Sequence, residues 1–178
     1  YVSTQLYAGN MNIIRGGSSD MGLAEHELAM IDHCLAKLPH RVLFKPYEQV
    51  RYLDKDPVIS RVEAADNVTL YKEGKDLRLL LPDAKVIVTS RATSTLAWCF
   101  MSGKPLVFID IPDSLPLRPE AREALSSAIF LFDAGAPDFH AKLTAFLAQP
   151  IEEIEARFQA RRKAFEEVRD AFFQTGGV

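Results

Sequence analysis

Five hydroxyl residues fall within seven positions at Thr89, Ser90, Thr93, Ser94 and Thr95, with Arg91 among them. The apolar triplet Val86-Ile87-Val88 precedes this cluster, and the helix-forming run Leu96-Ala97-Trp98-Cys99-Phe100-Met101 follows it. The hydroxyls thus crowd the point where a strand hands over to a helix. The first turn of a helix presents backbone N–H groups without intrahelical acceptors and a partial positive charge, so it attracts anions. Hydroxyls there can cap the helix, donate to a phosphate, or do both. One Ser or Thr suffices for a cap, and five exceed that need. Thr93, Ser94 and Thr95 therefore read as a phosphate cradle, and Arg91 as a source of charge-assisted hydrogen bonds or an ordinary exposed arginine. The ligand this implies is phosphorylated, in the manner of a nucleotide.

Other residues could complete such a site. Lys45-Pro46-Tyr47 leaves the short apolar run Val42-Leu43-Phe44, and Pro46 restricts the backbone at that exit. Lys45 is placed either to pair with an anion or to stand solvated at a strand end. Tyr47, with Arg51 and Tyr52, extends the same wall. Ser3, Thr4 and Gln5 fall in the first short apolar stretch and are candidates for pocket wall. Lys72, Glu73 and Gly74 lie between a strand and a short helix, where a loop can enclose a base and ribose. The alternative there is a plain turn with Asp76 as an N-cap. Gly9 and Gly16-Gly17-Ser18-Ser19 make a flexible glycine-containing connection, but no Gly-x-Gly-x-x-Gly fingerprint and no Gly-Lys-Ser/Thr phosphate loop is present.

Several chemistries are unsupported. His26 and His33 stand seven positions apart, too far for a metal pair on adjacent helical turns, and no His-Glu-x-x-His or Cys-x-x-Cys occurs. No metal and no cofactor is expected. No serine sits in a Gly-x-Ser-x-Gly elbow, so a hydrolase triad lacks its motif. Cys34 and Cys99 read as buried free thiols, which fits a reducing, cytoplasmic setting. The formal net charge of -3 argues against nucleic acid as a partner. No apolar run reaches the length of a membrane span. The mixed-charge face around Arg157, Arg161, Arg162, Lys163 and Arg169 reads as solvated, with contact at the inner face of a membrane as the lesser reading. The chain opens on Tyr1 without a methionine and reads as a fragment of a longer protein.

The elements that must position these residues alternate between apolar runs and helical patterns. Helical spacing of Leu28, Ile31, Leu35 and Leu38 predicts a helix over 20–38, stopped by Pro39. Strands are expected at 1–6, 41–45, 68–71, 85–89, 105–109 and 129–132, with helices at 76–81, 93–102, 120–127 and 138–148. A last helix, 151–173, carries an apolar stripe interrupted at Arg161. Strands separated by helices imply parallel pairing through crossovers. The expected fold is a single α/β domain over 1–178, a Rossmann-like parallel sheet of about six strands with helices on both faces. In such sheets ligands bind beyond the carboxyl ends of the strands, where the candidates above fall.

The stretch 42–110 resembles the C-terminal, donor-binding domain of GT-B glycosyltransferases. It is most similar to the surface-polysaccharide branch that includes CDP-glycerol glycerophosphotransferases and capsule-synthesis transferases. Val42-Leu43-Phe44-Lys45-Pro46 resembles that branch's strand ending in Lys-Pro-His-Pro. The segment 76–84 running into Val86-Ile87-Val88-Thr89 resembles its short helix and strand. Thr93-Ser94-Thr95 with Gly103-Lys104-Pro105 resembles its donor-phosphate helix and the strand that follows. The resemblance implies that Ser94 and Thr95 contact donor phosphates and that Lys72, Glu73 and Gly74 wall the base. It also implies a nucleotide-activated sugar or CDP-glycerol-like donor, and a partner domain, N-terminal to this one, that holds the acceptor. The chain departs from the pattern at Tyr47, where the branch has histidine, and a phenol cannot supply an imidazole's charge. The rival readings are a nucleotide-sugar 2-epimerase-like domain and a non-catalytic α/β binding module.

Overall fold

A computed structural model describes residues 1–3, 19–47, 56–112, 114 and 116–173. Thr4, Gln5, Gly9, Gly16, Gly17, Ser18, Arg51 and Tyr52 lie outside the described residues. Helix α1 (Asp20–His33) starts on Ser19, whose hydroxyl accepts the Gly22 N–H at 3.2 Å. A 3₁₀ turn, Leu35–Lys37, finishes the expected helix before Pro39. Strand β1 (Val42–Phe44), helix α2 (Ile59–Glu63) and strand β2 (Val68–Leu70) follow. The expected helix at 76–81 is two 3₁₀ turns, Leu77–Leu79 and Leu81–Asp83, because Pro82 cannot donate within a continuous helix. Then come β3 (Ile87–Thr89), α3 (Ser94–Met101) and β4 (Leu106–Asp110). Gly103 ends this unit with φ of 66°, the left-handed conformation that closes a helix most readily at glycine. The chain continues through α4 (Pro119–Ala128), β5 (Phe130–Asp133) and α5 (Phe139–Leu147).

The C-terminal helix expected over 151–173 is two helices, α6 (Ile151–Gln159) and α7 (Arg162–Phe172). Arg161 occupies the break. Its guanidinium donates to the carbonyls of Ser126 at 2.9 Å and Ile129 at 2.6 Å and lies 4.9 Å from the Phe130 ring centroid. Of the apolar stripe, Ile154, Phe158, Phe165 and Val168 lie in the core, Ile151 is half-buried, and Phe172 at its end is 61% exposed.

All strand pairs are parallel. β1 pairs with β2, and β3 with β4 and β5, in sheets of two and three strands. The described residues therefore hold five strands in two sheets rather than one sheet of about six. The reason lies at residues 1–3, where a single residue replaces a strand. Val2 bridges Lys45 on one side and Thr89 on the other, both in parallel. The Val2 N–H donates to Val88 O at 2.9 Å, the Ser3 N–H to Lys45 O at 3.0 Å and the Lys45 N–H to Tyr1 O at 2.9 Å. One residue is too short a ladder to form a strand, yet it hydrogen-bonds the two sheets together. With Val2 included, the spatial order in chain numbering is 3-2-1-4-5-6, the doubly wound Rossmann order.

Every residue of β4 is buried. Successive side chains point to opposite faces, so both faces of the sheet are covered there. α1 packs with α2 and α5, while α4 packs with α7. The Phe100 ring of α3 stacks on Phe165 of α7 at 4.9 Å, joining those two helices over the core.

Candidate functional site

The strand order reverses between Val2 and β3, so the crevice of a doubly wound sheet lies above Ser3 and the end of β3. Thr89 ends β3 and Ser90 follows it, 1% and 3% exposed. The Ser90 hydroxyl is buried and meets no hydrogen-bond partner among the described residues. Burying a hydroxyl without a partner costs roughly 1–3 kcal/mol, so a buried donor at this position is a chemical resource in want of an acceptor. Four residues later the chain enters α3.

Thr93 is the N-cap of α3, with φ of -123° and ψ of -163°, and no side chain caps the helix. The Thr93 and Ser94 side chains are exposed, and Thr95 is half-buried. The hydroxyls are therefore not consumed in capping, and the first turn of an eight-residue helix opens directly beside the crevice. Arg91 reaches across to the segment after β4, donating to Ser114 Oγ at 3.0 Å. Ser114 is itself buried and anchored by its N–H to Ile111 O. This holds a guanidinium at the rim, next to the open turn.

Lys45 continues β1 and is fastened to the crevice by the backbone bonds of residues 1–3. Its ammonium donates to Pro46 O at 3.3 Å and lies 5.7 Å from the Tyr71 ring centroid. A cation over an aromatic face gains a modest stabilisation while staying available to a second anion. Tyr47 is exposed on the same strand exit. Ser3 also sits there, its backbone N–H bound to Lys45 O. The structure thus gathers Ser3, Lys45, Ser90 and the α3 turn around one switch point.

The base-wall candidates stand differently. Lys72 pairs with Glu63 at 2.6 Å, and Glu73 pairs with Lys75 at 2.6 Å. All four side chains are exposed, so these pairs are worth little energetically. Gly74 turns the loop with φ of 65°. Asp76 caps the next turn, as its position after Lys75 suggested, and accepts the Arg78 N–H at 2.8 Å. The Arg78 guanidinium holds the Asp76 carboxyl down at about 2, with its backbone N–H next and Lys45 a smaller cause. Arg78 also covers the Trp98 ring at 5.2 Å, which ties this loop to α3.

Two carboxylates are buried: Asp110, which falls at a strand's carboxyl end on the expected rim, and Glu27, which sequence reasoning passed over. Asp110 ends β4 at 1% exposure, accepts Arg122 and the Leu117 N–H, and so folds the segment after β4 back onto the sheet. Arg122 also approaches Asp133 at 3.5 Å. The signal for Asp110 was its place directly after an apolar strand. Glu27 is fully buried on α1 and accepts the Tyr1 hydroxyl at 3.0 Å. Nothing in the helical pattern around Glu27 distinguished it from a surface carboxylate.

The histidines are away from the crevice. His26, His33 and His140 meet at the α1–α5 seam, with the His33 and His140 rings 5.3 Å apart. His40 donates to Gln149 O at 2.9 Å. Among the described residues no group of three His, Cys, Asp or Glu side chains could hold a metal ion, and no helix is long and apolar enough to cross a membrane. The described rim offers hydroxyls, backbone donors and two cations. That set has the chemistry to attract an anion and, among the described residues, includes no imidazole.

No protein-family model matches the chain, and no curated protein does. Among solved structures it is similar to the glycotransferase of kitacinnamycin, with 16% identity and a TM-score of 0.48. The match covers 94% of this chain and 39% of that one.

Proposed function

We propose that the chain is the donor-nucleotide-binding half of a transferase, which holds the phosphates of a nucleotide-activated donor at the first turn of α3. One observation carries this reading. The α3 N-terminus stands at the switch point of a doubly wound sheet, with Thr93 and Ser94 exposed and the buried Ser90 hydroxyl one turn away. Ser94 and Thr95 donate to the phosphates, Arg91 and Lys45 balance their charge, and Lys72, Glu73 and Gly74 flank the base. Tyr47 and Ser3 line the adjoining wall. The unit moved is a sugar or a glycerol phosphate destined for a surface polysaccharide. The acceptor and the proton-transfer groups belong to a second, N-terminal domain, so this half binds its donor without turning it over. The full protein works at the inner face of a membrane.

Calorimetric titration with CMP, CDP, UDP and GDP tests the reading. A diphosphate is expected to bind in the micromolar to low millimolar range and more tightly than its monophosphate. The double variant S94A/T95A is expected to lose at least tenfold in affinity, about 1.4 kcal/mol, with its melting temperature unchanged. Absence of binding by every nucleotide at millimolar concentration removes the proposal.

A further inference from the structure

The segment after β4 holds a buried hydroxyl that reaches the α3 turn through an arginine. Ser114 is 3% exposed, and its Oγ accepts the Arg91 Nη1–H at 3.0 Å. We propose that Ser114 is a positioning residue: it orients the Arg91 guanidinium towards the donor phosphates and so tunes their affinity without touching them, a role that rests on the α3 turn being the phosphate site.

Arg91 leaves the chain two residues before the N-cap of α3, yet its guanidinium is bonded to a residue 23 positions further on. The bond spans the exits of β3 and β4, which are neighbours in the sheet. An arginine side chain turns about several bonds, and a loose guanidinium loses that freedom when an anion captures it. A guanidinium held in place beforehand loses less, so the same contact gives tighter binding. Its five N–H donors lie in one plane. Fixing one of them fixes the plane, and with it the direction in which the others point. A hydroxyl does this without supplying a counter-charge, whereas a carboxylate at position 114 would supply one.

A positioning residue must itself be fixed, and Ser114 is. Its N–H donates to Ile111 O at 3.0 Å, which closes a turn directly after β4. Buried Asp110 accepts the Leu117 N–H at 3.2 Å and the Arg122 guanidinium, so the segment is tied down on both sides of Ser114. Pro112 packs against the exit of β5, where a Cβ added to Gly135 would lie 3.0 Å from Pro112 Cγ. The Gly135 N–H donates to Asp133 Oδ1 at 2.8 Å, and Asp133 faces Arg122 at 3.5 Å. A run of fixed contacts thus leads from the ends of β4 and β5 to the guanidinium beside α3.

Titration with CDP, UDP and GDP tests the assignment on the unmodified chain, S114A, R91A and the double variant S114A/R91A. S114A is expected to bind the preferred diphosphate about five- to tenfold more weakly, and R91A roughly tenfold or more. The double variant is expected to match R91A within about twofold, because Ser114 acts only through Arg91. A structural role alone would cost S114A the same factor in both backgrounds, and that result overturns the proposal. An S114A affinity equal to that of the unmodified chain also overturns it and leaves the donor reading standing. S114C fills the serine site with a weak acceptor and is expected to reproduce the S114A loss. Unchanged affinity in S114C overturns the proposal, whether or not S114A folds. An unmodified chain that binds none of the three nucleotides at millimolar concentration overturns the donor reading and the role of Ser114 together.

Discussion

Thr93 stands where a capping hydroxyl belongs and does not cap. Losing a working Ser or Thr cap costs about 1 kcal/mol. Thr93→Ala is therefore expected to change stability by less than about 0.5 kcal/mol in urea titration, which separates a ligand role for the cluster from a structural one. His26 leads to the opposite kind of statement, about stability and pH. Burial, with His140 adding, holds its imidazole down from 6.5 to about 4. A depressed histidine favours the neutral form in the fold. Its stability is complete above pH 6.5 and is lost as pH falls from 6.5 through 4. His140 is lowered in the same sense, by burial first and then by His33 and Lys37. Between pH 7.5 and 5 the His26 contribution falls by about 2 kcal/mol at most. Urea unfolding at the two pH values should show the loss, and His26→Leu should flatten it.

At the scale of elements, the break between α6 and α7 belongs to Arg161. Its two bonds to backbone carbonyls and its stacking on Phe130 join the last helices to the end of α4. Arg161→Ala is expected to cost about 2–3 kcal/mol, since a hydrogen bond from a charged donor is worth 1.5–3 kcal/mol and two carbonyls lose their donor. Arg161→Lys should recover less than half, because a single ammonium cannot serve both carbonyls in the fork geometry. Phe165 is fully buried between Phe100 and Phe158, with ring centroids 4.9 and 5.0 Å away. Phe165→Ala should cost about 3–5 kcal/mol in the same assay. The helical stripe predicted the burial of Phe158, Phe165 and Val168 correctly, since three-four spacing dictates a face whatever the partner. It missed the break, because a guanidinium satisfying distant carbonyls leaves no trace in local periodicity.

Across the whole molecule, residues 1–3 hold the two sheets in one hydrogen-bonded array. Deleting them is expected to lower the cooperativity of unfolding, read as a smaller denaturant m-value or as two separated transitions. A single transition with an unchanged m-value would show that the helices alone couple the sheets. Much of this architecture was legible in advance. Alternating apolar runs and helical spacing place β1 to β5 and the helices between them, because hydrophobic periodicity is local and survives without tertiary information. Thr93, Ser94 and Thr95 marked a helix start for the same reason, and Lys45 marked a strand end. Other features depend on residues far apart in the chain. That Val2 lies between Lys45 and Thr89, that Ser90 is buried with no partner among the described residues, and that Lys72 and Glu73 turn to Glu63 and Lys75 are outcomes of packing. By itself the sequence determined the α/β class, the parallel pairing and the hydroxyl cluster at a strand-to-helix turn. Only the tertiary structure decided that this turn stands at the switch point of the sheet, because strand order is set by long-range pairing that no local pattern encodes.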